Sequence, residues 1–157
     1  MATWARFLAE APAVAAGVRA RFEAHKHVTM ATVRADGGPR ISGTEVEIRD
    51  DGLYLGGMPR NRRFADLRRD PRVAIHSGSD DPDVWDGDAK VSGVAVEVTD
   101  EVGLAAFRAS VEQIPPGPFE LFRVDLTAAT LVRLAEDRQA LVIQTWRPGR
   151  PLESVRR

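Results

Sequence analysis

Between His27 and Trp146 the sequence falls into short β-rich runs divided by tight-turn signals, and this punctuation constrains the fold more than any other feature. The run from His27 to Arg34 is closed by Asp36-Gly37-Gly38-Pro39, and the run from Pro39 to Arg49 by Asp50-Asp51-Gly52. Turns this short join antiparallel neighbours, because parallel strands need a crossover of a dozen or more residues. Leu53 to Gly57, Arg72 to Ser77, Ala89 to Thr99, Phe119 to Val124 with Thr130 to Leu134, and Ala140 to Trp146 supply the further strands. The expected fold is mainly β: six to seven antiparallel strands in a Greek-key-like barrel with accessory helices.

Three helical regions flank or interrupt these runs. Trp4, Phe7 and Leu8, then Val14, Val18 and Phe22, recur at helical spacing with a break at Pro12, which predicts one or two short helices packing on the barrel from residues 1–26. Asn61 to Arg69 reads as a crossover helix, with Asn61 as its cap and Asp70-Pro71 as its end. Glu101 to Gln113 reads as another, ended by Pro115-Pro116-Gly117-Pro118. Residues 27–147 are then the barrel, and 148–157 a polar, frayed tail.

Composition narrows the chemistry. A chain of 157 residues, 43% hydrophobic, has the size and core of one domain. The absence of cysteine excludes disulfides, thiolate metal sites and cysteine nucleophiles. A net charge of -1 argues against wholesale nucleic-acid binding, which draws on a basic surface. No apolar run approaches the roughly 20 residues of a membrane-spanning helix, and the charged N-terminal stretch is unlike a signal peptide, so a cytoplasmic protein is expected. Val28 and Met30 beside Ala31 and Val33 make a strand apolar on both faces, which points to a helix or a second subunit against the outer one.

Several other signals carry little. His25 and His27 stand two apart but lack an evident third metal ligand, so both read as ordinary polar positions, and no metal is expected. His76 is a possible pocket residue. The loop from Asp80 to Asp88 fails as a calcium loop because Trp85 falls where an oxygen ligand belongs. No Gly-x-Ser-x-Gly occurs, and Ser77 beside His76 on one strand points to the opposite face.

From Gly56 to Arg72 six arginines face two aspartates, so local charge is strongly positive. One reading is a solvated amphipathic helix with Phe64 and Leu67 inward and the arginines outward. The other is an anion site: a strand ends at two glycines, a helix starts at Asn61, and Arg62 and Arg63 sit at the end where cations oppose the helix dipole. Cations placed against the dipole suit a phosphate monoester that offsets both.

Asn61-Arg62-Arg63, then Leu67 and Arg69-Asp70-Pro71-Arg72-Val73, resembles the phosphate-binding stretch of the pyridoxamine 5'-phosphate oxidase-like split β-barrel family. The opening hairpin from Met30 to Arg40 and the long strand around Lys90 to Ala95 resemble that family in the same order. One departure is Arg63 where a lysine is common; both bind phosphate, with different geometry. The resemblance implies a homodimer with FMN, the deazaflavin coenzyme F420 or, in some relatives, haem between the subunits. It places Arg62 and Arg63 at the phosphate, Met58 and Asn61 on its approach, and Met30, Ala31, Thr32 and Val33 against the ring. Ser42 and Thr44 become ribityl or ring partners, and Trp85, Trp146 and Arg147 candidates to close the pocket from the partner. It further implies a flavin- or deazaflavin-dependent oxidoreductase acting on a small conjugated or heteroaromatic substrate, or else a non-catalytic carrier or sensor that binds flavin, deazaflavin or haem without turnover.

Overall fold

The computed structural model describes residues 1–111 and 117–157. Pro12 separates helix α1 (Trp4–Glu10) from α2 (Pro12–Glu23), where it occupies the first turn and so costs no backbone hydrogen bond. Trp4 and Phe7 of α1 and Val14, Ala15, Val18 and Phe22 of α2 are buried. α2 lies close on the sheet because Gly17 offers no side chain; a Cβ there would stand 2.5 Å from Leu131. None of the helices among the described residues is long and apolar enough to cross a membrane.

Strands β1 (Val28–Val33) and β2 (Pro39–Thr44) form the expected hairpin, in register from Val28 opposite Thr44 to Val33 opposite Pro39. The run predicted as one strand from Pro39 to Arg49 is broken: Glu45-Val46 leave the sheet, and β3 (Glu47–Ile48) pairs instead with β4 (Leu53–Gly57). Next come α3 (Arg62–Arg69), β5 (Arg72–His76), β6 (Gly87–Glu97) and α4 (Glu101–Ser110). Asp100 caps α4 by accepting from the Gly103 amide at 2.6 Å; the helix predicted to Gln113 ends at Ser110, with Val111 extended, and Glu112, Gln113 and Pro115-Pro116 lie outside the described residues.

The two runs predicted at Phe119–Val124 and Thr130–Leu134 are one strand, β7 (Glu120–Leu134), because Asp125 to Ala129 continue the ladder with β6. The first part of β7 pairs with β4 and the last part with β8 (Leu141–Trp146). The tail predicted to fray forms β9 (Glu153–Arg156), hydrogen-bonded to β8. Among the described residues, nine antiparallel strands therefore replace the six to seven expected, the additions being β3 and β9.

The strand order is β2-β1-β5-β6-β7-β4-β3, with β8 and β9 branching from β7. Its two ends, β2 and β3, are not paired, although only Glu45 and Val46 separate them in sequence. The sheet curls round a core of Trp4, Phe7, Met30, Leu55, Phe64, Ile75, Phe122 and Trp146 but does not close. The gap spanned by Glu45-Val46 is where a site can open.

Candidate functional site

At one side of the gap β4 ends in Gly56-Gly57, and the chain turns through Arg60, in the left-handed region at φ 65°, into α3. Asn61 caps the helix, its side-chain oxygen accepting from the Arg63 amide at 3.2 Å. Phe64 and Leu67 anchor α3 in the core, a burial that stabilises by about 2 kcal/mol each. Arg63 is half-buried: its Nη1 donates to the Gly43 carbonyl at 3.1 Å, and its buried Nε has no partner among the described residues. Burial holds the Arg63 guanidinium below its ordinary pKa.

The arginines of this segment divide by position. Arg68 pairs with Glu97 and, at 2.9 Å, with Glu120; Arg69 pairs with Asp66 at 3.0 Å, and Arg72 with Asp70 at 2.6 Å. Arg60, Arg62 and Arg63 have no carboxylate partner among the described residues. Uncompensated positive charge is thus confined to the N-terminal end of α3, where the helix dipole adds to it.

Arg63 lines a cavity of about 680 Å³. One wall is the crossover from Gly43 to Glu47; the floor is aromatic. Phe119 lies against Gly56, where a Cβ would approach its ring to 2.6 Å, and stacks on Phe107 at 5.9 Å. Phe107 in turn meets Tyr54 at 5.3 Å. Glu47 stands opposite Tyr54 in the β3–β4 ladder, and Glu45 lies 3.4 Å from His27 and 3.7 Å from Lys26. The cavity is therefore cationic at α3, apolar and flat along β4, and acidic at the crossover. Such a shape suits a planar ring with a phosphate-bearing arm.

Of the residues singled out from the sequence, Thr44, Met58, Asn61 and Arg63 line this cavity. Arg62 is exposed beside it at the start of α3. Met30 and Thr32 point into the protein, while Ala31 and Val33 lie half-buried on the other face of β1; Ser42 is half-buried opposite Met30. Trp85 is half-buried on the loop before β6, outside the cavity. Trp146 is 1% exposed, packs on Phe7 at 4.6 Å and donates its indole N–H to Glu10 at 3.0 Å, so its ring belongs to the core and closes no pocket. Arg147 pairs with Glu153 of its own chain at 2.8 Å. His76 also lies away from the cavity, its Nδ1 2.7 Å from the Ser77 carbonyl, whereas His27 lines the mouth.

Tyr54, Phe107 and Phe119 were not foreseen, nor were Glu45 and Glu47. A signal existed on β4, where Gly52, Tyr54 and Gly56 share one face: a tyrosine between glycines marks rings lying flat on bare backbone. Phe107 comes from a helix remote in sequence and had no such mark.

The family model for pyridoxamine 5'-phosphate oxidase matches residues 14–133. No curated protein matches the chain. Among solved structures, a pyridoxamine 5'-phosphate oxidase-related, FMN-binding protein from Nostoc punctiforme is 14% identical, with 94% of this chain and 96% of that chain covered and a TM-score of 0.62. PhzG from Burkholderia lata, in complex with tetrahydrophenazine-1-carboxylic acid, is 16% identical over 92% of this chain and 87% of that one, with a TM-score of 0.59. An F420 reductase is 21% identical, covering 72% of this chain and 95% of that one, with a TM-score of 0.56. At these identities the likeness is one of fold.

Proposed function

The chain belongs to the pyridoxamine 5'-phosphate oxidase family, and on that footing we propose that it is an oxidoreductase that holds FMN at the start of α3 and exchanges a hydride with a small conjugated or heteroaromatic substrate. The observation that carries this reading is Arg63: a half-buried guanidinium with no carboxylate partner among the described residues and an orphaned buried Nε, facing a cavity with an aromatic floor. Leaving a buried donor unpaired costs about 1–3 kcal/mol, more for a charged group, and a phosphate oxygen removes that cost.

In this reading Arg63 and Arg62 take the phosphate, Asn61 and Met58 bound its approach, and Thr44 faces the ribityl chain. Tyr54, Phe107 and Phe119 give the ring an apolar surface and exclude water. When bound, the flavin ring supplies the hydride chemistry, and the protein supplies orientation and charge. The mononucleotide is favoured over the deazaflavin because, of the further arginines that could meet a long acidic tail, Arg68, Arg69 and Arg72 are already paired and Arg60 alone is left without a carboxylate partner among the described residues, while Glu45 and Glu47 would repel such a tail. A homodimer is part of the proposal. Ile41, 71% exposed, lies beside Ala31 and Ala74 across three strands of an open sheet face that a second copy would cover.

Absorption spectra of the purified protein, followed by titration with FMN, riboflavin, F420 and haem, test the assignment. FMN is expected to bind more tightly than riboflavin. Replacing Arg62 and Arg63 together by alanine should weaken FMN by about 10- to 100-fold, as expected for lost charged hydrogen bonds. Unchanged FMN affinity in that variant would remove the phosphate assignment. Tighter binding of F420 or haem would overturn the cofactor choice, and no acceptor-dependent turnover of reduced cofactor would make the protein a carrier.

A further inference from the structure

Asp66 is a carboxylate inside the protein, 3% exposed, and it does not touch the cavity. Its Oδ2 accepts from the Thr32 hydroxyl at 2.9 Å and from Arg40 Nε at 2.5 Å, and its Oδ1 accepts from Arg69 Nη2 at 3.0 Å. Arg69 Nη2 also donates to the Val33 carbonyl at 2.5 Å. One residue of α3 is thereby joined to β1 through Thr32, to β2 through Arg40, and again to β1 through Arg69. Removing two charges from water is costly, and an apolar pair of similar volume often stabilises as well, so a buried ion cluster is weak evidence for stability. Its better-attested use is to fix register.

Register is what the phosphate site needs. Arg63 lies three residues before Asp66 and so shares its helix face. That face meets β2 at two points: Asp66 with Arg40, and Arg63 with the Gly43 carbonyl. A shift of α3 along β2 would carry the Arg63 guanidinium away from Gly43 and turn its free donors from the cavity. Phe64 and Leu67, on the core side, fix how deeply α3 sits, but apolar contacts are not directional and do not aim Arg63. Resting on the reading that a phosphate-bearing flavin binds at Arg63, we propose that Asp66 and Arg40 are positioning residues for the phosphate: their ion pair sets the place of α3 on β2 and thereby aims Arg63.

The preference for FMN over riboflavin isolates this role, since a purely structural defect weakens both ligands alike. Dissociation constants for the two are measured by flavin fluorescence on wild type, Asp66→Asn, Arg40→Lys and Arg63→Ala. Arg40→Lys retains the charge, and with it the fold, but replaces the guanidinium fork with a point charge. Asp66→Asn and Arg40→Lys are expected to reduce the FMN-to-riboflavin preference at least 5-fold, with riboflavin affinity within 2-fold of wild type. A wild-type preference in folded Arg40→Lys would overturn the positioning role while leaving the Arg63 assignment intact. If wild type itself shows no preference, or Arg63→Ala retains it, the phosphate reading falls and this role with it.

Discussion

Asp66 also contributes, alongside Asp70, to how the molecule responds to acid. The hydrogen bond and charge of Arg40, with hydrogen bonds from Arg69 and Thr32, hold the Asp66 carboxyl at about 2 against an ordinary 3.8. A carboxylate depressed on folding stabilises the native state above its unfolded pKa, and that stabilisation is lost as pH falls from about 4 through about 2. The contribution is about 2 kcal/mol. Thermal unfolding of Asp66→Asn between pH 7 and pH 2 is therefore expected to begin lower at neutral pH and to converge on wild type near pH 2; parallel curves across that range would refute the assignment. The sequence singled out Arg63, which lines the cavity, because a glycine-ended strand, a cap and an arginine pair are neighbours in the chain. It did not disclose that Arg68 is neutralised, because Glu97 and Glu120 are distant in sequence and only the fold brings them to it. The partners that bury Trp146 were hidden for a similar reason: Phe7 and Glu10 lie at the other end of the chain.

At the level of elements, α3 was legible and the sheet edges were not. Asn61, the buried pair Phe64 and Leu67, and Asp70-Pro71 mark its start, inner face and end locally. Asn61→Ala is expected to cost about 1 kcal/mol in denaturant unfolding, as lost caps do. It should also weaken FMN, because the freed amides no longer stand in order at the phosphate; unchanged FMN affinity would separate the cap from the site. The break between β2 and β3 was hidden because Ser42, Thr44, Val46 and Ile48 continue a two-residue alternation through Glu45. Alternation reports which face a side chain takes and is silent on which strand it pairs with. β9 was hidden for the opposite reason: all four of its residues are exposed, so no apolar rhythm marks it, and it is held by backbone bonds to β8.

The whole molecule presents an open sheet face. Ile41, Ala31, Ala74 and Ser92 lie side by side across β2, β1, β5 and β6, and small side chains of this kind let two sheets approach closely. Ile41→Asp is expected to convert a dimer into a monomer in light scattering and to lower FMN affinity with it. A wild-type protein that is monomeric at micromolar concentration would dispose of that interface. The unpaired edges of the sheet have one further consequence. Thr44 closes β2 and Glu47 opens β3, three Cα steps apart, so the two edges stand no more than about 11 Å from each other at that point. The crossover acts as a covalent caliper whose jaw is set by residue count. A bulkier occupant gains little by breaking the hydrogen bond from Arg63 to the Gly43 carbonyl, because the span of the crossover is still set by its residue count; a longer loop would widen it, which makes an insertion beside Glu45 the simplest route by which a chain of this architecture would come to accept a larger guest.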